Sequence, residues 1–178
     1  MAKRMRAGGH TRPERGSQRV VTKITRAFSG SMGAEMAGNA NPILLYDGVC
    51  GLCNRFVQFV LKHDREDGFR FAALQSDFAK AILARHGVNA VDLDTVYLVR
   101  GFQGAGESLT NRSEAAIAVL SALGGFWSLV SKLLRVVPRP VRDWGYNIVA
   151  GNRYRIFGKY DVCPLPDPGE RHKFLDQQ

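Results

Sequence analysis

Cys50 and Cys53 stand two residues apart in a 178-residue chain that has one other cysteine, Cys163. Sulfurs at that spacing serve either as a redox pair or as half of a zinc site. Local structure separates the two uses. The motif follows the apolar run Ile43-Leu44-Leu45-Tyr46, which Asp47-Gly48 breaks. It opens a stretch in which Leu52, Phe56, Phe59 and Val60 recur at spacings of three and four. That pattern predicts strand, turn and helix, with both cysteines at the helix N-terminus. Unpaired backbone N–H groups and the positive end of the helix dipole favour a thiolate there. In such motifs a thiol pKa falls from about 8.5 to ~3.5–7.5.

Chemistry assigns the two sulfurs different duties. Cys50, at the mouth of the turn, is expected to be the more exposed and to act as attacking nucleophile. Cys53, one turn further in, is the resolving thiol that releases a mixed disulfide. Gly51 leaves room for a substrate chain, and Leu52 anchors the helix to the core. Asp47 has two candidate roles: fixing the turn through local backbone contacts, or relaying a proton to and from Cys53 as a general acid/base. Its charge raises nearby thiol pKa values in either case. A zinc site needs two further soft ligands. Cys163 is one candidate, while His10, His63, His86 and His172 lack ligand spacing. A purely structural cysteine pair is the third alternative. Cys163 reads as a free thiol, or as a third redox partner if the C-terminal segment folds back to Cys50. Leu44-Leu45-Tyr46-Asp47-Gly48-Val49 resembles the strand-end aspartate of haloacid-dehalogenase phosphatases, but Val49 stands where their second aspartate is needed. No cofactor or metal is called for.

The remaining elements must position that motif. A second strand is expected at Phe69–Ala73, and a helix over Asp77–His86 with Ser76 as N-cap and Gly87 as stop. Thr95–Val99 carries the strongest β signal, and Gly101–Gly106 fits a hairpin into a short strand near Glu107–Leu109. Helices are expected at Arg112–Leu123, Phe126–Val137 and from Pro140 to Gly151, followed by an irregular basic, aromatic stretch from Asn152 to Gly158. The order β-α-β-α-β-β-α implies an α/β, thioredoxin-like three-layer core with a mixed sheet of about four strands and additional C-terminal helices. In Phe126–Val137 the apolar residues are expected to pack on the core, with membrane-surface or partner docking as the alternative. Arg139, Arg142, Arg153 and Arg155 are expected to form a solvated basic face, with attraction of an acidic partner as the alternative.

The net charge of +9 is unevenly distributed. Residues 1–41 hold eight basic and two acidic side chains; the remainder holds 17 and 14. The excess thus belongs to an extension, and the body lacks a basic stripe interleaved with aromatics, so nucleic-acid binding is not expected. No run reaches the ~18–20 apolar residues of a membrane-spanning helix, and no secretory signal core opens the chain. Residues 1–41 form a basic N-terminal extension, expected to be disordered, and residues 42–178 the folded domain. The Arg-rich, acid-poor extension has the composition of a transit peptide, but a start at Met32 or Met36 explains it equally. The sparse cysteines point to the cytoplasm, with organelle targeting by the extension as the alternative.

Asp47-x-x-Cys50-x-x-Cys53, set in Leu44-Leu45-Tyr46-Asp47-Gly48-Val49-Cys50-Gly51-Leu52-Cys53-Asn54, resembles the DCC family of thiol–disulfide oxidoreductases. The resemblance extends through Asn111-Arg112-Ser113-Glu114-Ala115-Ala116 and Asn152-Arg153-Tyr154-Arg155 to Cys163, covering roughly residues 42–175. It implies a thioredoxin-like fold and exchange of disulfides with a protein or small thiol. Better-known thioredoxins place a cis-proline before the third core strand, where Leu93-Asp94-Thr95 stands here. The competing function class is a non-catalytic binding or adaptor module on the same fold.

Overall fold

A computed structural model describes residues 41–89, 95–161 and 166–176. The expectations for residues 1–40, for Leu93 and Asp94, and for Cys163 lie outside the described residues.

Four short strands form one mixed sheet in the order β2-β1-β3-β4. β1 (Ile43–Tyr46) pairs in parallel with β2 (Arg70–Ala73), Leu44 opposite Phe71. On its other side β1 runs antiparallel to β3 (Tyr97–Arg100), which pairs with β4 (Ser108–Asn111). All four β1 side chains are buried. Because successive residues point to opposite faces, both faces of the sheet are therefore covered. Leu44, Tyr46, Phe71 and Leu98 join one cluster with Val57, Val60, Ala115 and Val119 from helices α1 (Gly51–His63) and α3 (Arg112–Ala122). Ile43, Leu45 and Val99 fall on the opposite face. Helix α2 (Asp77–Arg85) packs against β2 and buries Ala79, Ile82 and Leu83. Ser76 caps it, accepting the Ala79 N–H at 3.2 Å. The architecture is the thioredoxin-like α/β core expected from the element order.

The C-terminal half departs from expectation in three places. Helix α4 (Gly125–Val136) packs against α3, but it does not bury its apolar side chains in the core. Phe126, Leu129, Leu133 and Val136 are exposed, and Ser131 is its only fully buried residue. Trp127 is partly buried, edge-on to Phe59 at 4.7 Å, and Val130 is partly buried as well. Helix α5 (Arg139–Phe157) does not stop at Gly151 but continues to Gly158, whose φ of 78° supplies the left-handed stop. The stretch expected to be irregular is thus mostly helical. Last, a 3-10 turn at Arg171–Lys173 brings Phe174 into the core, stacked on Phe71 at 5.2 Å. The Leu175 N–H donates to Phe71 O (2.9 Å), and the Ala73 N–H donates to Asp176 Oδ2 (2.8 Å). This closing segment shields the free edge of β2, a place where unpaired backbone groups otherwise invite association.

Candidate active site

The site begins where β1 ends. Cys50 is the N-cap of α1, in extended conformation (φ −85°, ψ 121°), and its Sγ accepts the Cys53 N–H at 3.2 Å. A sulfur therefore does what a serine or aspartate oxygen does at an ordinary helix start. Asn54 ties the loop to the helix, its Nδ2 donating to Gly48 O (2.8 Å) and Cys50 O (3.0 Å). No disulfide joins the two sulfurs in this structure.

Cys50, Cys53 and Asp47 come together as the sequence pattern anticipates, and the residues around them were less legible. Asp47 is buried, and its Oδ1 accepts from Val49 N (3.2 Å) and from Gln75 Nε2 (2.8 Å). Its Oδ2 accepts from an Arg153 guanidinium nitrogen at 3.3 Å and from the Tyr154 hydroxyl. Arg153 is only 3% exposed, which corrects its assignment to a solvated basic face. An arginine in that position cannot be solvated because α5 continues past Gly151 and carries it onto the carboxylate. Gln75 returns the contact by accepting the Gly48 N–H (3.2 Å). Gln75 carries no motif signal of its own, and Asn54 is marked only as the last residue of the segment that carries the family resemblance. Arg153 and Tyr154 were marked only by the resemblance of the segment that contains them.

The electrostatics divide the two thiols. The Cys50 pKa is lowered to about 7, chiefly by the hydrogen bond from the Cys53 side chain. The Cys53 N–H and the Arg153 charge also help, while burial and Asp47 oppose. Cys53 is pushed far up, by that same hydrogen bond, by burial and by repulsion from Cys50 and Asp47. One sulfur is thus ready as a thiolate near neutrality, and its neighbour holds the proton.

Exposure runs opposite to expectation. Cys50 is 0% exposed and Cys53 8%. The cover over Cys50 is the chain's own segment after α5. Lys159 forms an antiparallel bridge with Cys50. The Tyr160 N–H donates to Val49 O (2.8 Å), and the Gly51 N–H to Gly158 O (3.1 Å). Gly51 admits this segment rather than a foreign chain: a Cβ there would lie 2.1 Å from Phe157 O. Beside Cys53 opens an apolar cavity of about 160 Å³ lined by Leu52, Phe56, Val96, Ala116, Tyr146 and Val149. Tyr146 is anchored in its wall, accepting the Val96 N–H at 3.1 Å. No group of three or more His, Cys, Asp or Glu side chains among the described residues is arranged to hold a metal ion.

A strand–turn–helix with two inequivalent thiols is accompanied by clear relatives. The chain is 39% identical over 135 residues to the Bacillus subtilis (strain 168) protein named "Uncharacterized protein YuxK", covering 76% of this chain and 94% of that one. It is 40% identical over 149 residues, 84% of each chain, to the Arabidopsis thaliana "DCC family protein At1g52590, chloroplastic". No solved structure matches it significantly. The family model for DCC1-like thiol-disulfide oxidoreductase matches residues 44–159, which run from within β1 through the cysteine pair and all of α5 to Lys159. The chain belongs to the DCC1-like thiol-disulfide oxidoreductase family, and its redox role rests on that membership.

Proposed function

We propose that the protein is a dithiol oxidoreductase in which Cys50 attacks a disulfide borne by a protein or a small thiol. The Cys50 thiolate bonds to one substrate sulfur, and the other leaves as a thiolate that takes up a proton. Cys53 then loses its proton and attacks Cys50 Sγ. This closes the Cys50–Cys53 disulfide and releases the second substrate sulfur. Two electrons pass from the dithiol to the substrate, and a thiol reductant restores the pair. One observation carries the proposal: Cys50 is the N-cap of α1 and its Sγ accepts the Cys53 N–H at 3.2 Å, an arrangement that lowers the Cys50 pKa while Cys53 is pushed up. Asp47, saturated by four donors, acts as a positioning carboxylate that fixes the turn and draws Arg153 towards the sulfurs. The working unit is residues 42–178, with residues 1–41 dispensable for exchange. Its compartment is the cytoplasm, or an organelle reached through the extension.

Trapping tests the mechanism. Incubated with oxidised glutathione, Cys53→Ser is expected to accumulate a mixed disulfide on Cys50, visible by mass spectrometry, whereas Cys50→Ser accumulates none. Equal trapping by both variants, or by neither, removes Cys50 as nucleophile. A non-catalytic adaptor role draws support from the complete cover over Cys50. Such a protein would trap nothing while remaining folded.

A further inference from the structure

We propose that helices α4 and α5 form a docking surface for an anionic lipid bilayer. The inference is independent of thiol chemistry. On α4 the exposed side chains Phe126, Leu129, Leu133 and Val136 follow at spacings of three, four and three, so they line one face. On α5 Val141, Trp144 and Ile148 do the same, and Arg155 continues their line seven residues on. Leu133 and Trp144 are 63% and 67% exposed. Two consecutive helices with unburied apolar stripes go beyond the scattered surface hydrophobics that need no explanation. Neither helix crosses a membrane, since no helix among the described residues is long and apolar enough.

Charge selects the occupant. Gly125–Phe157 carries Lys132, Arg135, Arg139, Arg142, Arg153 and Arg155 against a single acid, Asp143. Arg153 is engaged at the active site, Arg142 is covered and paired with Glu114, and Arg139 meets Asp143 at 3.5 Å, which leaves Lys132, Arg135 and Arg155 as the exposed cations outside those pairs. Apolar stripes flanked by basic side chains, with a tryptophan among them, are the composition of helices that lie in a lipid interface. The chain's own residues 1–41 are a poor cover, because they too are strongly basic. A second copy would set the same cations against each other. An anionic bilayer satisfies both the apolar faces and the charge.

The test uses the full chain and sedimentation with phosphatidylglycerol–phosphatidylcholine vesicles, compared with phosphatidylcholine alone. Binding is expected to be at least ~10-fold stronger to the anionic vesicles and to weaken with salt. Lys132→Ala and Arg135→Ala should each lower it ~5-fold. The double variant Leu129→Ser/Leu133→Ser and the single variant Trp144→Ser, all at exposed positions, should each reduce it strongly while thermal unfolding stays unchanged. Absence of binding to anionic vesicles overturns the proposal. So does binding that survives both apolar variants, which marks adsorption through residues 1–41. A concentration-dependent dimer in sedimentation velocity, abolished by the same variants, also overturns it by assigning the surface to a second copy.

Discussion

Asp47 and Arg153 are 106 positions apart in the chain, yet they meet as a buried ion pair beside the two sulfurs. Their charges act on Cys50 in opposite senses, Arg153 lowering its pKa and Asp47 raising it. Removing the arginine leaves the carboxylate unbalanced, so both changes favour the protonated thiol. In the wild type, alkylation of Cys50 by iodoacetamide should have a midpoint near pH 7, with a plateau above it and a tenfold fall per pH unit below. In Arg153→Met the midpoint should move upwards, and stability in urea should drop by about 3–5 kcal/mol, the usual cost of stranding one partner of a buried pair. An unmoved midpoint would show that the guanidinium has no say in the thiolate. At this scale the sequence was informative where the chemistry is local. Cys50, Cys53 and Asp47 lie within seven residues, and the turn between them is written in Asp47-Gly48. Gln75, Arg153 and Tyr154 reach the same spot from the loop after β2 and from α5. No periodicity or spacing ties those positions to the motif.

Helix α5 illustrates why element boundaries escaped the sequence. Gly151 suggests an end because glycine inside a helix costs ~1 kcal/mol relative to alanine. The helix continues because its next turn places Arg153 on Asp47 and Tyr154 against the same carboxylate, interactions that outweigh a local preference. Strands β1 and β3 and helices α1 and α2 were easier, because each pairs a clear apolar pattern with a turn or cap of its own. Helix α4 misled in the other direction, since its amphipathic pattern identifies a helix without saying what faces it. The junction of α1 with the end of α5 rests on the missing side chain of Gly51. Gly51→Ala puts a methyl group 2.1 Å from Phe157 O, against backbone that cannot rotate away. The expected result is a loss of ~1–3 kcal/mol in urea unfolding. Faster alkylation of Cys50 should accompany it as the segment over the thiol is pushed off. Unchanged stability would mean that the segment does not rest on α1 in solution.

At the scale of the molecule, the family match ends at residue 159, but the fold does not. Phe174 is buried between Phe71 and Tyr46, with ring centroids 5.2 and 6.5 Å away. Phe174→Ala should therefore cost about 3–5 kcal/mol, measured by chemical denaturation. That is as much as a deletion in the heart of a core, although the residue lies outside the shared span. A loss below ~1 kcal/mol, the range of surface changes, would show the closing segment to be an ornament. Nothing in its sequence announces this role, because one phenylalanine after a proline-rich stretch has no period to read. The pairing of Lys159 with Cys50 matters at this scale too. A sulfur ionised at neutral pH is also the one that peroxide converts to sulfenic acid and then, irreversibly, to sulfinic acid. With Cys50 beneath a stretch of its own backbone, peroxide should oxidise it more slowly than its thiol pKa alone predicts, and Gly51→Ala, which pushes that stretch off, should hasten sulfinic acid formation measured by mass spectrometry.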